Sequence, residues 1–103
     1  MNLIGLHKDQ LAKLCKKHNV SRLYITGSAV SGNLTSESDL DFIIRFKEIS
    51  ITDYFLNYLN LKKSLRKLFK RPIDLIEEQT LKNPVLINSL DANKLLIYGS
   101  ENS

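Results

Sequence analysis

Three aspartates, Asp39, Asp41 and Asp74, stand inside apolar stretches of the 103-residue chain, in "SDLDFIIRF" and "RPIDLIEE". Strand interiors disfavour aspartate, and two like charges on one face repel. Residues two apart on a strand share a face, with Cα atoms roughly 6.5–7 Å apart. Carboxylates so placed can converge on a pair of cations, which two-metal phosphoryl-transfer sites hold about 3.5–4 Å apart. Magnesium suits that role, because it is a hard ion that favours carboxylate oxygens and substrate phosphates. Without cations the two charges would be partly desolvated together, and one carboxylate would have to take up a proton. The plainer alternative is that Asp39 and Asp41 lie at a frayed strand start and face water.

Asp74 lies between Ile73 and Leu75, again in a run too apolar to welcome an acid. A helical crossover between the two acid-bearing strands would set them parallel and bring Asp74 beside the pair. Three carboxylates from neighbouring strands can surround two metals, and the last can accept a proton from an attacking hydroxyl. Taken alone, Asp74 could equally be an edge-strand aspartate paired with Arg71 or Arg45. The three acids together outweigh these separate alternatives.

A possible anion site precedes the acids in "GSAVSG", residues Gly27 to Gly32. Gly27 ends a β-rich run, so its backbone can approach a ligand with no Cβ in the way. Ser28 is placed to cap a short helix from about Ala29, whose free N–H groups attract anions. This is not a P-loop, because Asn33 stands where the lysine must be and Leu34 follows it. A simple strand-to-helix turn is the alternative for this loop on its own.

The elements that must hold these residues alternate between helix and strand. Leu6, Leu11, Leu14 and Cys15 share one side of an amphipathic helix from about Leu6 to His18. "RLYIT" (Arg22 to Thr26) reads as a first strand and "DLDFIIRF" (Asp39 to Phe46) as a second, whose continuous "FII" implies burial on both faces. Ser50 and Thr52 are candidate N-caps of a long helix to about Lys70. "PIDLIE", from Pro72, is a third strand. Asn83 and Pro84 open a last helix to about Leu90, and "KLLIY" is either a fourth strand or the tail of that helix. Strand, helix, strand predicts an α/β domain.

The length suits a single domain, residues 1–103. Composition, 43% hydrophobic and 25% charged, is that of a globular protein, and no apolar run approaches the roughly 20 residues that span a bilayer. The opening stretch has no signal-peptide core, and one cysteine, Cys15, permits no internal disulfide, so the expected location is the cytoplasm. A net charge of +4 is compatible with a phosphate-bearing ligand but well short of a dedicated nucleic-acid binder. The cations from Lys62 to Arg71 could meet RNA or an acidic partner, although a solvated helix face is the simpler expectation. Tyr54, Phe55, Tyr58, Leu59, Leu65, Leu68 and Phe69 are expected in the core rather than as a stacking platform. His7 and His18 lack metal-ligand spacing, and Cys15, on the apolar stripe, is expected to be inert.

Gly27 and Ser28, a ten-residue gap, "DLD" and then "IDLI" together resemble the nucleotidyltransferase signature of the DNA polymerase β superfamily. The pattern is most similar to the minimal nucleotidyltransferases, small proteins often paired with HEPN-domain toxins. It runs from the leading helix through "FKRPIDLIE" to "LLIYG". The resemblance implies a nucleotidyltransferase fold, a small mixed α/β sheet flanked by helices. It implies that Gly27 and Ser28 hold the β- and γ-phosphates of a nucleoside triphosphate. Asp39 and Asp41 would bind two Mg2+ ions, and Asp74 would bind one of them and assist the nucleophile. The implied reaction is attack by a hydroxyl on the α-phosphate with release of pyrophosphate, placing AMP from ATP on a HEPN-type toxin. One departure stands out: Ser31 occupies the arginine position of the family's "GSxARG" loop. The alternative is a non-catalytic antitoxin that neutralises its partner by binding alone. Transfer to aminoglycosides or polynucleotides is not expected, since such enzymes add substrate-gripping domains for which this chain has no residues.

Overall fold

A computed structural model describes residues 3–32, 35, 37–48, 50–80, 83–84 and 94–100. In chain order the elements are α1 (Leu3–Leu6), α2 (Lys8–Lys17), β1 (Val20–Thr26), α3 (Ser28–Ser31), β2 (Leu40–Phe46), α4 (Ile51–Phe69), β3 (Ile73–Glu77), a 3-10 turn (Glu78–Thr80) and β4 (Leu95–Gly99). The leading helix is in two pieces rather than one. His7, at φ −113° and ψ 18°, leaves helical geometry, and its main-chain N–H and ring Nδ1–H donate to the carbonyls of Ile4 and Leu3, each at 3.1 Å. β1 starts at Val20, two residues earlier than the sequence suggested.

The long helix has the expected length. Ser50 occupies the N-cap position and its carbonyl accepts from Asp53 and Tyr54, but its side chain makes no capping hydrogen bond, and Thr52 lies inside the helix. At the other end Lys70 takes a left-handed conformation (φ 57°), and its N–H donates to the Arg66 carbonyl at 2.9 Å. Pro72, two residues on, has no N–H with which to continue the helix.

The four strands form one mixed sheet in the order β3-β2-β1-β4. β1 is antiparallel to both β2 and β4, whereas β2 and β3 are parallel, with α4 as the crossover between them. "KLLIY" is therefore strand and not a helix tail. Apart from Asn83 and Pro84, the expected last helix lies outside the described residues. No described helix is long and apolar enough to cross a membrane.

One face of the sheet packs on the helices. Leu23 and Ile25 of β1, Phe42 and Ile44 of β2 and Leu75 of β3 meet Leu11 and Cys15 of α2 and Leu61, Leu65 and Phe69 of α4. The helical residues recur at four-residue spacing, which puts them on one stripe. Burying each large apolar side chain contributes about 1.5–3 kcal/mol, so this stripe fixes the position of α4 against β2 and β3. Phe42, Ile43 and Ile44 are all at most 1% exposed, as the "FII" run predicts for a strand covered on both sides. Phe55 and Leu59 depart from expectation, being 68% and 37% exposed on the outer side of α4. The core stripe had no room for them, because Leu61, Leu65 and Phe69 already fill it.

Candidate active site

The sheet register builds the site. Thr26 of β1 pairs with Asp41 of β2, and Asp41 pairs in turn with Asp74 of β3. Residues paired across strands project to the same face, so Asp41 and Asp74 are lateral neighbours on the side away from Leu40, Phe42 and Leu75. Parallel pairing through a helical crossover is what the sequence required for this juxtaposition. Asp39 is placed differently, because β2 begins at Leu40 and Asp39 stands just before it. The reason is the first ladder bond: the Leu40 N–H donates to the Pro72 carbonyl at 3.0 Å. Pro72 cannot donate in return, so β3 opens at Ile73 rather than at the proline.

Asp41 is half-buried, whereas Asp39 and Asp74 are exposed. Burial raises the Asp41 pKa above the usual carboxylate range, and the charges of Asp74 and Asp39 raise it further. The acids are thus close enough to feel one another. Among the described residues no ion pair neutralises any of the three, and Arg71, a candidate partner for Asp74, is engaged elsewhere. Its Nη1 donates to the carbonyls of Thr35 and Ser38, at 3.0 and 3.2 Å, and so ties down the stretch leading to Asp39. Arg45 pairs in register with Arg22, away from the acids.

Gly27 fits closely behind Asp41. It has φ +72°, and a Cβ built there would lie 2.4 Å from Asp41 Oδ2. The left-handed backbone conformation favours glycine here, and a Cβ would push the end of the Asp41 side chain aside. Sequence reasoning asked for a glycine that lets a ligand approach; the structure shows one that also leaves space for an acid. Ser28 follows as the first residue of α3, one position earlier than expected, and the proposed cap by its hydroxyl lies outside the described side chains.

The donor set fits magnesium on chemical grounds. Asp41 and Asp74 are paired in register, Asp39 is near enough for its charge to act on Asp41, and burial penalises the charge of the central acid. Among the described residues, no three His, Cys, Asp or Glu side chains form a ready-made metal cage. Magnesium does not need one, since it is commonly held by one or two carboxylates with waters and substrate phosphates completing its shell.

Two contributors were missed by sequence reasoning. The sequence offers Arg71 as a partner for Asp74 or as part of the basic helix end, and its grip on two loop carbonyls is a tertiary contact without a sequence signal. Tyr58 had been assigned to packing, yet its hydroxyl donates to the Leu75 carbonyl, next to Asp74 in the chain. Burial and the Asp74 charge both raise the Tyr58 pKa, which keeps its proton available for that bond.

Comparisons with known proteins identify the family and the fold. Residues 9–103 match the family model described as polymerase beta, nucleotidyltransferase. A Methanocaldococcus jannaschii protein named as a protein adenylyltransferase is 33% identical over 82 residues, which is 80% of this chain and 79% of that protein. A solved structure described as a minimal nucleotidyltransferase superposes with a TM-score of 0.73 at 27% identity, covering 92% of this chain and 95% of its own. The fold is also that of a Shewanella oneidensis complex of a tri-AMPylated HEPN toxin with MNT antitoxin. There the TM-score is 0.65 and the identity 16%, over 95% of this chain and 74% of that one.

Proposed function

Because the chain belongs to the polymerase beta nucleotidyltransferase family, we propose that it moves AMP from ATP onto a hydroxyl of a HEPN-type toxin and so acts as that toxin's antitoxin. The observation that supports this most is the in-register pairing of Asp41 with Asp74, with Asp39 close by and no ion pair to any of them among the described residues. A module that only binds gains nothing from carboxylates clustered against their own repulsion. The relative named as a protein adenylyltransferase and the fold shared with a toxin-bound antitoxin favour a protein acceptor.

Each residue then has a task. Gly27 and Ser28 receive the β- and γ-phosphates of ATP at the end of β1. Asp39, Asp41 and Asp74 would hold two magnesium ions, which supply positive charge to the triphosphate and to the departing pyrophosphate. Asp74, exposed on the edge strand, takes the proton of the acceptor hydroxyl. The hydroxyl oxygen bonds to the α-phosphorus, the bond from that phosphorus to the β-bridging oxygen breaks, and pyrophosphate leaves. A folded acceptor suits so small an enzyme, because it brings its own docking surface and orients its own hydroxyl. We place this single domain in the cytoplasm, where one cysteine and no disulfide are at home.

Intact-mass spectrometry of a HEPN-domain protein incubated with this protein, ATP and magnesium is the direct test. One or more AMP additions are expected, and Asp39→Asn or Asp41→Asn abolishes them. An unmodified yet fully inhibited HEPN protein would instead establish the binding-only reading, which Ser31 in place of the family's arginine favours.

A further inference from the structure

Asp39 is the one acid of the three that lies outside a strand, because β2 begins after it at Leu40. Asp41 and Asp74 are fixed by the ladder that pairs them. Asp39 is held instead from both sides, by two consecutive residues just before β3. On its N-terminal side the Ser38 carbonyl accepts from Arg71 Nη1 at 3.2 Å. On its C-terminal side the Leu40 N–H donates to the Pro72 carbonyl at 3.0 Å. Asp74 follows two residues after Pro72, so one short stretch sets both outer acids around Asp41.

Arg71 grips more than one carbonyl. Thr35 and Ser38 are closed on each other: the Ser38 N–H donates to the Thr35 carbonyl at 3.2 Å, the Thr35 N–H donates to Ser38 Oγ at 2.9 Å, and the two hydroxyls lie 3.0 Å apart. Arg71 Nη1 also donates to the Thr35 carbonyl at 3.0 Å, which its two hydrogens allow. The closed pair is thereby fastened to the start of β3 as a unit. Yet Arg71 makes no ion pair with Asp39 or Asp74 among the described residues. An arginine bonded to either carboxylate would occupy oxygens that a metal needs. Bonded to carbonyls, it places the acid and leaves those oxygens to a cation.

We infer that Arg71 is a positioning residue of the metal site: by clasping Thr35 and Ser38 it keeps the Asp39 carboxylate where it can share a divalent cation with Asp41. The inference rests on the proposed transfer for the existence of the metal site, and on the hydrogen bonds above for the role of Arg71. Groups that orient a metal ligand without touching the ion commonly change metal affinity by about 10–100-fold. Asp39 has the most to lose, because no cross-strand partner holds it once the clasp is gone. The bond from Leu40 to Pro72 would remain, so removing the arginine frees the approach to Asp39 without unpairing β2 from β3. Direct contact with the triphosphate is the competing role for a cation here.

Titration calorimetry with α,β-methylene ATP, an analogue that cannot release AMP, tests this apart from catalysis. Its affinity is measured with EDTA and again with saturating magnesium, and the ratio is the gain due to the metal. Arg71→Ala is expected to cut that gain by about tenfold and to leave the affinity in EDTA unchanged, with Arg71→Lys in between. By charge alone, losing a cation would weaken the bare anion and enlarge the gain, so the sign separates position from electrostatics. In an Asp39→Asn background, Arg71→Ala should change the gain by less than about twofold, because the carboxylate it positions is already gone. Ser38→Ala loosens the closed pair with the arginine intact, should cut the gain by about threefold, and decides the matter if Arg71→Ala does not fold. The magnesium concentration for half-maximal AMP transfer should rise in the same order. A gain unchanged or enlarged in Arg71→Ala would overturn the inference and leave the proposed transfer standing. So would a tenfold loss that persists in the Asp39→Asn background, or a loss of affinity in EDTA, which would make Arg71 a substrate contact. A wild type with no gain from magnesium would overturn the metal site, and this inference with it.

Discussion

The two ends of β3 carry acids in opposite circumstances. At the C-terminal end Glu78, just past the strand, receives both Nε–H and Nη2–H of Arg22, and Tyr54 bonds to the side chain of the buried Glu77. At the N-terminal end Asp74 pairs in register with Asp41, near Asp39, and none of the three forms an ion pair among the described residues. One strand thus shows what the fold does with a carboxylate it needs for itself, and what it does with one left for something else. Paired acids fasten elements together. At the clustered end, burial and the charges of Asp74 and Asp39 raise the Asp41 pKa, and a cation would relieve that cost.

The largest expected effect breaks this contrast at its sharpest point. Asp41→Asn should lower AMP transfer by at least about 1,000-fold, because the central acid of the metal site is lost. The same change should leave the melting temperature of the ligand-free protein equal or slightly higher, since a repelling and partly desolvated charge is gone. Magnesium with ATP should raise the melting temperature of the wild type and not of the variant. Glu78→Gln should do the reverse, lowering stability while sparing transfer. A ligand-free Asp41→Asn protein that melts far below the wild type would make the acid end structural too, and the contrast would vanish.

Next in size is Gly27→Ala. The positive φ alone makes alanine unfavourable by about 1–2 kcal/mol, and its methyl would displace the Asp41 carboxylate 2.4 Å away. Transfer should therefore fall by about tenfold or more, beyond what the stability loss explains, with magnesium dependence shifted to higher concentration. Transfer that survives undiminished in the folded fraction would separate the glycine from the acid.

Much of this arrangement was legible in the sequence, and the limits have physical causes. The parallel pairing of β2 with β3 followed from strand, long helix, strand, because such crossovers leave few options. The "FII" burial followed from composition. Asp39 was placed inside the strand, yet hydrogen bonding starts β2 one residue later, and a repeating side-chain pattern does not report where a ladder begins. Phe55 and Leu59 were expected in the core because hydrophobicity was the only guide. Which of several apolar residues on a 19-residue helix are buried depends on what packs against it. Arg71 and Tyr58 were overlooked for a similar reason: both act through main-chain carbonyls, and carbonyls carry no sequence signature.

At the paired end, Arg22→Ala should cost about 1–3 kcal/mol, because it leaves a partly buried Glu78 without its charged donor. Chemical denaturation measures this, and transfer measured at a temperature where the variant stays folded should be unchanged. A variant as stable as the wild type would mean that Glu78 is satisfied by solvent and that this end is fastened by packing alone.

The smallest effect concerns Tyr54, whose pKa is pushed up to about 12 by burial, by the charge of Glu77 and by its hydrogen bond to that side chain. The hydroxyl keeps its proton in the folded chain while an unfolded chain loses it from about pH 10. Its contribution to stability is thus complete below pH 10 and is lost as pH rises toward 12. Cys15, buried and raised to about 12 from 9.0, adds a loss that begins one pH unit earlier. Tyr54→Phe should therefore lower stability by about 1 kcal/mol at neutral pH, through the lost hydrogen bond, and should flatten the part of the decline above pH 10. The decline between pH 9 and 10 belongs to Cys15 and should remain. Denaturant midpoints measured every half unit from pH 8 to 11.5 separate the two. If Tyr54→Phe left the upper part of the curve unchanged, Glu77 would not depend on Tyr54, and the paired end of β3 would rest on Arg22 and Glu78 alone.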